Sequence, residues 1–277
     1  SLRVPMERTV GTTQTGRTMR MQINLNADMG EGFGAYEIGD DEALLKIIRS
    51  ASIACGLHAG DPLTMHRNVR RAKDEGVSIG AHPGFNDLWG FGRRRIEMKP
   101  DHLEYLVAYQ IGALQAMAAY AGERVTHVKA HGALNNMAAE DAEYAMAIGR
   151  AIKTVDRDLI YVALSGSEME TAGRRLGLRV AREGFCDRLY DDDGNLTSRS
   201  IPGAVIKDPA VATKRVVDMV RNGEIISRHG KRIARAVDTL CVHGDEPTAI
   251  ELARAVRTGL EAAGIEVVPL TAMSFDQ

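Results

Sequence analysis

The sequence predicts an α/β protein closed into a barrel of seven to eight strand–helix units. Three observations lead there. Short apolar runs alternate with longer helix-patterned segments from residue 22 onward, the order expected of a mostly parallel sheet with helices outside it. Five of those runs stop abruptly at polar, glycine-punctuated stretches: NLNADMGEG at 24–32, SIACGLHAGDP at 52–62, SIGAHPGF at 78–85, HVKAHGAL at 127–134 and LCVHGDEP at 240–247. Polar groups gathered at the carboxyl ends of parallel strands are how α/β barrels build their sites. No dinucleotide-binding glycine pattern follows any strand, which favours a closed barrel over an open sheet.

Residues 21–28 read as the first strand, after which Gly30, Gly32 and Gly34 let the backbone turn tightly and keep Asp28 and Glu31 near the strand end. Asp40 and Asp41 can cap a helix whose apolar face is Leu44, Leu45, Ile47 and Ile48. The second strand begins at Ser52. Asp61 and Pro62 form a cap and first-turn proline, and Gly76 ends that helix before a strand over 77–81. A long polar loop, 83–100, carries the only tryptophan, Trp89, beside Arg93 and Arg94, and long ordered loops in compact domains are often functional. A helix over 101–121 leads to a strand over 125–130, which contains Lys129 and delivers His131. A helix over 138–155, a strand over 159–164, a short helix over 165–176 and a strand over 178–183 follow. Next come a polar turn at 191–195, a helix from Pro209 to Arg221, and two alternating runs around Gly230 that predict a hairpin. A strand over 240–242 ends at His243 and Asp245, Pro247 opens a helix to Ala263, and 266–270 is the last strand.

No repeat or linker divides the chain, so residues 21–277 are expected to form one barrel domain. Residues 1–20, with Arg3, Arg8, Arg17 and Arg20 among threonines and glycines, lack apolar periodicity and read as a flexible extension. The 277 residues are 44% hydrophobic and 26% charged, with a formal net charge of -2, an ordinary globular balance that gives no reason to expect nucleic acid or an anionic membrane as partner. A small ligand is expected instead. Three cysteines without a disulfide framework point to a reducing compartment, with cytoplasm as the default. The apolar stretch at 105–121 is broken by Gln110 and Gln115, which excludes a spanning helix there.

His58, His82, His131 and His243 each end or closely follow an apolar run, and their recurrence at four strand ends predicts a shared pocket. Two roles compete for them. With Asp28 they could bind a divalent metal, since imidazole and carboxylate suit zinc, iron or nickel, or they could move protons and donate hydrogen bonds without one. Asp28 and Glu31 read as a general base and its partner, against the plainer role of capping turn amides. Lys129 inside a strand must reach the pocket or pair with a buried carboxylate, and as a point charge it could hold a carboxylate or phosphate. Arg93 and Arg94 could clamp an anion, and Asp187 beside Arg188 reads as a lid or a local ion pair. Cys55 reads as a buried small hydrophobe and Asp61 mainly as a helix cap. Neither a serine-nucleophile elbow nor a phosphate-binding loop occurs, which disfavours serine acyl transfer and autonomous nucleotide binding.

Taken in order, NLNADMGEGFG, SIACGLHAGDP, GAHPGFNDLWGFGRR, VKAHGALNN, EGFCDRLYDDDGNLTSR and CVHGDEP resemble the LamB/YcsF family, whose characterised members are the A subunit of bacterial 5-oxoprolinase. The resemblance implies a distorted (β/α) barrel of the seven-stranded type found in glycoside hydrolases and deacetylases. It also implies ATP-dependent opening of the lactam 5-oxoproline (pyroglutamate) to L-glutamate, with ATP as cosubstrate of a complex containing separate B and C subunits. On that basis Asp28, with His58, is expected to position and deprotonate water, and His82 or His131 to donate a proton. Lys129 with Arg93 or Arg94 would hold the substrate's carboxylate or phosphate, and Glu31, Asp187, His243 and Asp245 are further substrate-binding candidates. If a metal is bound, its expected ligands are Asp28, His58, His82 and His131. The chain departs from the family's usual KPHGALYN at Ala130 and Asn135, which removes an aromatic wall or hydroxyl from the turn, and it carries Gly84, Asn86 and Cys186 where serine, proline and alanine are common. Two other readings are a metal-dependent amide hydrolase or deacetylase and a non-catalytic small-ligand module.

Overall fold

The computed structural model describes residues 21–243 and 248–275. The expected extension over 1–20 and Asp245 lie outside the described residues. In chain order the elements are β1 (Gln22–Met29), α1 (Asp41–Leu45), β2 (Ser50–Ala54), α2 (Pro62–Asp74), β3 (Ser78–His82), α3 (Pro100–Tyr120), β4 (His127–Lys129), α4 (Gly132–Glu140), α5 (Ala142–Val155), β5 (Ile160–Leu164), α6 (Glu168–Arg175), β6 (Val180–Phe185), α7 (Pro209–Asn222), β7 (Glu224–Ile226), β8 (Arg232–Ala234), β9 (Thr239–Val242), α8 (Ala249–Ala262) and β10 (Glu266–Val267). Strands β1 to β6 pair in sequence, β6 pairs β9, and β9 returns to β1, all in parallel. The result is a closed seven-stranded barrel. β10 pairs only with Gln22 and Ile23 at the start of β1, outside the ring. The predicted hairpin is β7 with β8, antiparallel. Among the described residues no helix is long and apolar enough to cross a membrane.

Alternation along β1 sets the two faces of the wall. Ile23, Leu25, Ala27 and Met29 join the main apolar core shared with the surrounding helices, while Asn24, Asn26 and Asp28, the other half of a two-residue period, meet polar partners. A small separate apolar cluster of Ile160, Val162, Ala181 and Leu270 is backed by Met273 and Phe275. Next to it a hydrogen-bonded layer begins: Asn24 donates to Ser50 Oγ at 2.9 Å and accepts from Thr239 Oγ1 at 2.7 Å. Buried polar groups are tolerated because they satisfy one another. Gly80 on β3 is required by this filling, since a Cβ there would stand 2.1 Å from His127 Nε2.

The largest departures from the expected extents are at α4–α5 and β10. The helix expected over 138–155 is two helices, α4 and α5, broken at Asp141, whose side chain caps α5 by accepting from Glu143 N and Tyr144 N. α4 starts directly after His131, which holds the N-cap position without a side-chain cap bond. The last strand stops after two residues, and a 3-10 turn at Leu270–Ala272 follows Pro269. Proline has no N–H to donate to a ladder, and the turn delivers Leu270 into the small apolar cluster.

Candidate active site

Lys129 organises the interior beneath the site. Its Nζ lies 2.8 Å from Asp28 Oδ1, 2.9 Å from Glu183 Oε1, 3.2 Å from Asn26 Oδ1 and 2.9 Å from Cys241 Sγ. Burial alone would lower its pKa, but the neighbouring acidic groups, Asp28 foremost, reverse this and hold it well above the usual lysine value. Asp28 is the mirror case: burial would raise it, yet His82 and Lys129 together keep the carboxyl well below its usual range. Burial keeps Cys241 as a thiol despite the adjacent ammonium. Both sequence alternatives for Lys129 therefore hold, because it lines the cavity above and pairs with carboxylates, and its charge is already matched within the protein.

Above Lys129 the histidines meet. His82 Nδ1 is 2.8 Å from the Lys129 carbonyl, and His131 Nε2 is 2.8 Å from the Phe91 carbonyl. A carbonyl only accepts, so each of these ring nitrogens carries the hydrogen. The remaining nitrogens, His82 Nε2 and His131 Nδ1, face each other at 3.0 Å. In two neutral rings both would present lone pairs, so the contact is attractive only when a proton or a metal cation lies there. Glu31 Oε1 is 3.4 Å from His131 Nδ1 and Asp28 Oδ2 is 3.4 Å from His82 Nε2, negative charge placed to favour such a cation. His58 stacks on His131, with ring centroids 3.7 Å apart and planes 6° apart. Neither of its nitrogens makes a hydrogen bond, although Nε2 lies 3.4 Å from Glu31 Oε1. Burial holds His58 well below the usual histidine value and pushes His131 down to about 3.

The loop after β3 fixes these rings. Gln110, the polar interruption in α3, clamps the loop by accepting from Gly84 N and donating to Gly84 O, both at 2.9 Å. Farther along, Ala133 N donates to Gly92 O, and His131 N to Pro83 O. Phe91 has φ of 53°, the only positive value outside glycine among the described residues, and its carbonyl is the one that orients His131. Gly92, at φ 62°, admits no side chain, because a Cβ would come within 2.7 Å of His58 Cβ and 2.8 Å of His131 Cδ2.

Asp28, Glu31, His82, Lys129, His131 and His243 line one cavity of about 520 Å³. His58 is fully buried behind His131 and does not line it. His243 Nδ1 bonds both oxygens of Asp187, at 2.9 and 2.8 Å, and its ring lies 5.7 Å from that of Phe185. Against the burial penalty, His243 keeps Asp187 below its usual value. Asp187 is thus the partner of His243, and not of Arg188. Arg93 lines the cavity with its guanidinium 5.0 Å from the Phe91 ring. Arg94 does not: its Nε sits 2.9 and 3.1 Å from the oxygens of Asp87, so of the two arginines expected to clamp an anion only Arg93 reaches the cavity. Cys55 is buried with its thiol pushed up to about 12, and Asp61 caps α2, as their sequence contexts predict.

The donors fit a divalent cation, with one change from the expected set. Glu31, His58, His82 and His131 each offer an atom within 4.8 Å of the others, so Glu31 stands where Asp28 was expected, while Asp28 groups with Cys241 and His243. The residues that sequence reasoning missed are Asn26, Glu183 and Cys241, all buried against Lys129. Glu183 ends an expected strand and carries the one available signal, a carboxylate at a strand end among the polar groups gathered there.

The sequence model of the LamB/YcsF family matches residues 23–275. A protein of Rhodopseudomonas palustris (strain BisB5) named as the A subunit of 5-oxoprolinase is 56% identical over 250 residues, covering 90% of this chain and 98% of that protein. A Gluconobacter oxydans (strain 621H) protein of the same name is 51% identical over 249 residues, with 90% and 98% coverage. The crystal structure of a lactam utilization protein from Thermus thermophilus superposes with a TM-score of 0.85 at 45% identity, covering 90% of this chain and all of that one. With the closed barrel, the strand-end histidines and a match across nearly every described residue, the chain belongs to the LamB/YcsF family.

Proposed function

We propose that this chain is the A subunit of an ATP-dependent 5-oxoprolinase, a cytoplasmic hydrolase that works with B and C subunits, and that it supplies the site where the activated lactam is opened. The observation that carries the chemistry is the His82–His131 contact, two imidazoles whose facing nitrogens lie 3.0 Å apart, each 3.4 Å from a carboxylate oxygen, at the floor of a cavity. The identity of the substrate comes from the relatives named for the A subunit of 5-oxoprolinase.

An unactivated lactam is a poor electrophile, which is a chemical reason for coupling to ATP. Phosphorylation of the ring amide oxygen makes the adjacent carbon electrophilic; water adds there, the C–N bond breaks as nitrogen takes a proton, and the resulting acyl phosphate is hydrolysed to carboxylate and phosphate. This chain contributes the water and proton steps. Asp28, held ionised beside Lys129, lies 3.4 Å from His82 Nε2 and orients the His82 side of the pair. Glu31 faces His131 and His58 and is set to accept a proton from water, and the His82–His131 pair returns one to the leaving nitrogen. His58 acts through its stack on His131. Asp28→Asn should reduce glutamate formation in the reconstituted complex by at least ~100-fold, the scale of a lost acid–base function, while the far-UV spectrum is kept. Activity within a few-fold of the parent would remove Asp28 from the mechanism.

A second reading has its own observation: the unbonded nitrogens of His58 and the four converging donors fit zinc, iron or nickel. A metal held by Glu31, His58, His82 and His131 would polarise a carbonyl or acidify water. Elemental analysis decides it, since one metal per chain that is lost in His58→Gln supports the reading, and metal-free protein with full activity opposes it.

A further inference from the structure

We infer that Arg188, Arg199 and Arg93 form an oxyanion subsite on the cavity wall, which takes the carboxylate or phosphoryl group of the ligand. It rests on the 5-oxoprolinase reading for the ligand's name, but its geometry stands independently. All three arginines line the cavity that holds the histidines. Arg188 is only 7% exposed, and its position is fixed by its antiparallel bridge to Val205 and by donation to Thr197 O at 2.6 Å. Its Nε is buried and has no acceptor. Adjacent Asp187 directs both oxygens in hydrogen bonds to His243 and acts on Arg188 only as a nearby charge.

Arg199 lines the same cavity, and its charge acts on Asp187 and Arg188. Several other charged groups of that wall have partners within the chain. Arg95 pairs with Glu140 at 3.6 Å, Asp191 with Arg228 at 2.7 Å, and Asp193 accepts from Asn195. Burial, and after it the charge of Arg199, pushes Arg188 down to about 10 against the opposing charge of Asp187, and Arg93 adds a smaller lowering. Like charges brought this close are stable in a folded protein when an anion completes them, and a guanidinium fork matches the oxygens of carboxylate or phosphate. The arrangement replaces the expected use of Lys129 and Arg94, whose charges are spent on Asp28, Glu183 and Asp87.

The test is calorimetric titration of the full chain with three probes: inorganic phosphate, 5-oxoproline, and 2-pyrrolidinone, the same lactam without a carboxylate. The subsite predicts that phosphate or 5-oxoproline binds at least tenfold more tightly than 2-pyrrolidinone, and that Arg199→Gln, at a half-buried position, removes that advantage while circular dichroism is unchanged. Phosphate as the preferred probe identifies a phosphoryl site, and 5-oxoproline without phosphate binding identifies a carboxylate site. Arg188→Lys should weaken the same probe, with circular dichroism confirming its fold. Unchanged binding in Arg199→Gln, or a parent chain that does not prefer the anionic probes, overturns the proposal. Anion binding that depends on Arg199 in a chain whose reconstituted complex forms no glutamate would defeat the 5-oxoprolinase reading and leave the subsite standing.

Discussion

Lys129 carries the greatest local electrostatic demand, because its ammonium is 3% exposed and matched by Asp28 and Glu183. Removing one partner of a buried ion pair leaves an uncompensated charge, a cost of about 3–5 kcal/mol. Lys129→Met should therefore lower the free energy of urea unfolding by that amount, and adding Glu183→Gln should recover part of it. A double variant no more stable than Lys129→Met would show that Glu183 is not balanced by the lysine. The strand-end histidines were legible because each follows an apolar run, and Cys55 and Asp61 because their local contexts decide their roles. Asn26, Glu183 and Cys241 were not, since a polar residue within a strand points to the barrel interior only once seven strands have closed. Arg94 was misassigned for a related reason: the capture of its guanidinium by Asp87 depends on how the loop folds.

At the scale of elements, α2 shows how a cap reaches the site. Asp61 accepts from Leu63 N, Thr64 N and Thr64 Oγ1, and also from Gly34 N at 2.9 Å, tying the helix start to the loop that carries Glu31. Losing an aspartate cap costs roughly 0.5–2 kcal/mol, which for a chain of this size lowers the melting temperature by a few degrees. Asp61→Ala should show that drop, and Asp61→Asn, which keeps an acceptor, a smaller one. α2 was readable from its cap and proline. α4 was not, because Gly132 opens it and the preceding His131 is turned to the site instead of capping. The strand expected over 266–270 stops at β10 because Pro269 cannot extend the ladder.

For the whole molecule, closure of the barrel places neutral histidine inside it and ties stability to pH. Burial pushes His127 down to about 3 in the folded chain, whereas an unfolded histidine titrates near ~6.5. Above ~6.5 neither state binds the proton; between ~6.5 and ~3 only the unfolded state does, so this group's contribution is lost as pH falls. The slope is about 1.4 kcal/mol per pH unit. His127→Asn should flatten the dependence of urea stability on pH between about 6 and 4 by about that slope, and parallel profiles would mean that His127 is protonated in the folded chain. The strand and helix alternation was enough to predict a closed α/β barrel and the β7–β8 hairpin outside it, but the count of seven followed from family resemblance, since short β10 reads in sequence much like a wall strand. The most direct test of the central claim combines this chain with B and C subunits and follows glutamate from 5-oxoproline. ATP-dependent glutamate formation that disappears when this chain is omitted or carries Asp28→Asn is the predicted result; equal glutamate formation with the Asp28→Asn chain, or none with the parent, would contradict it.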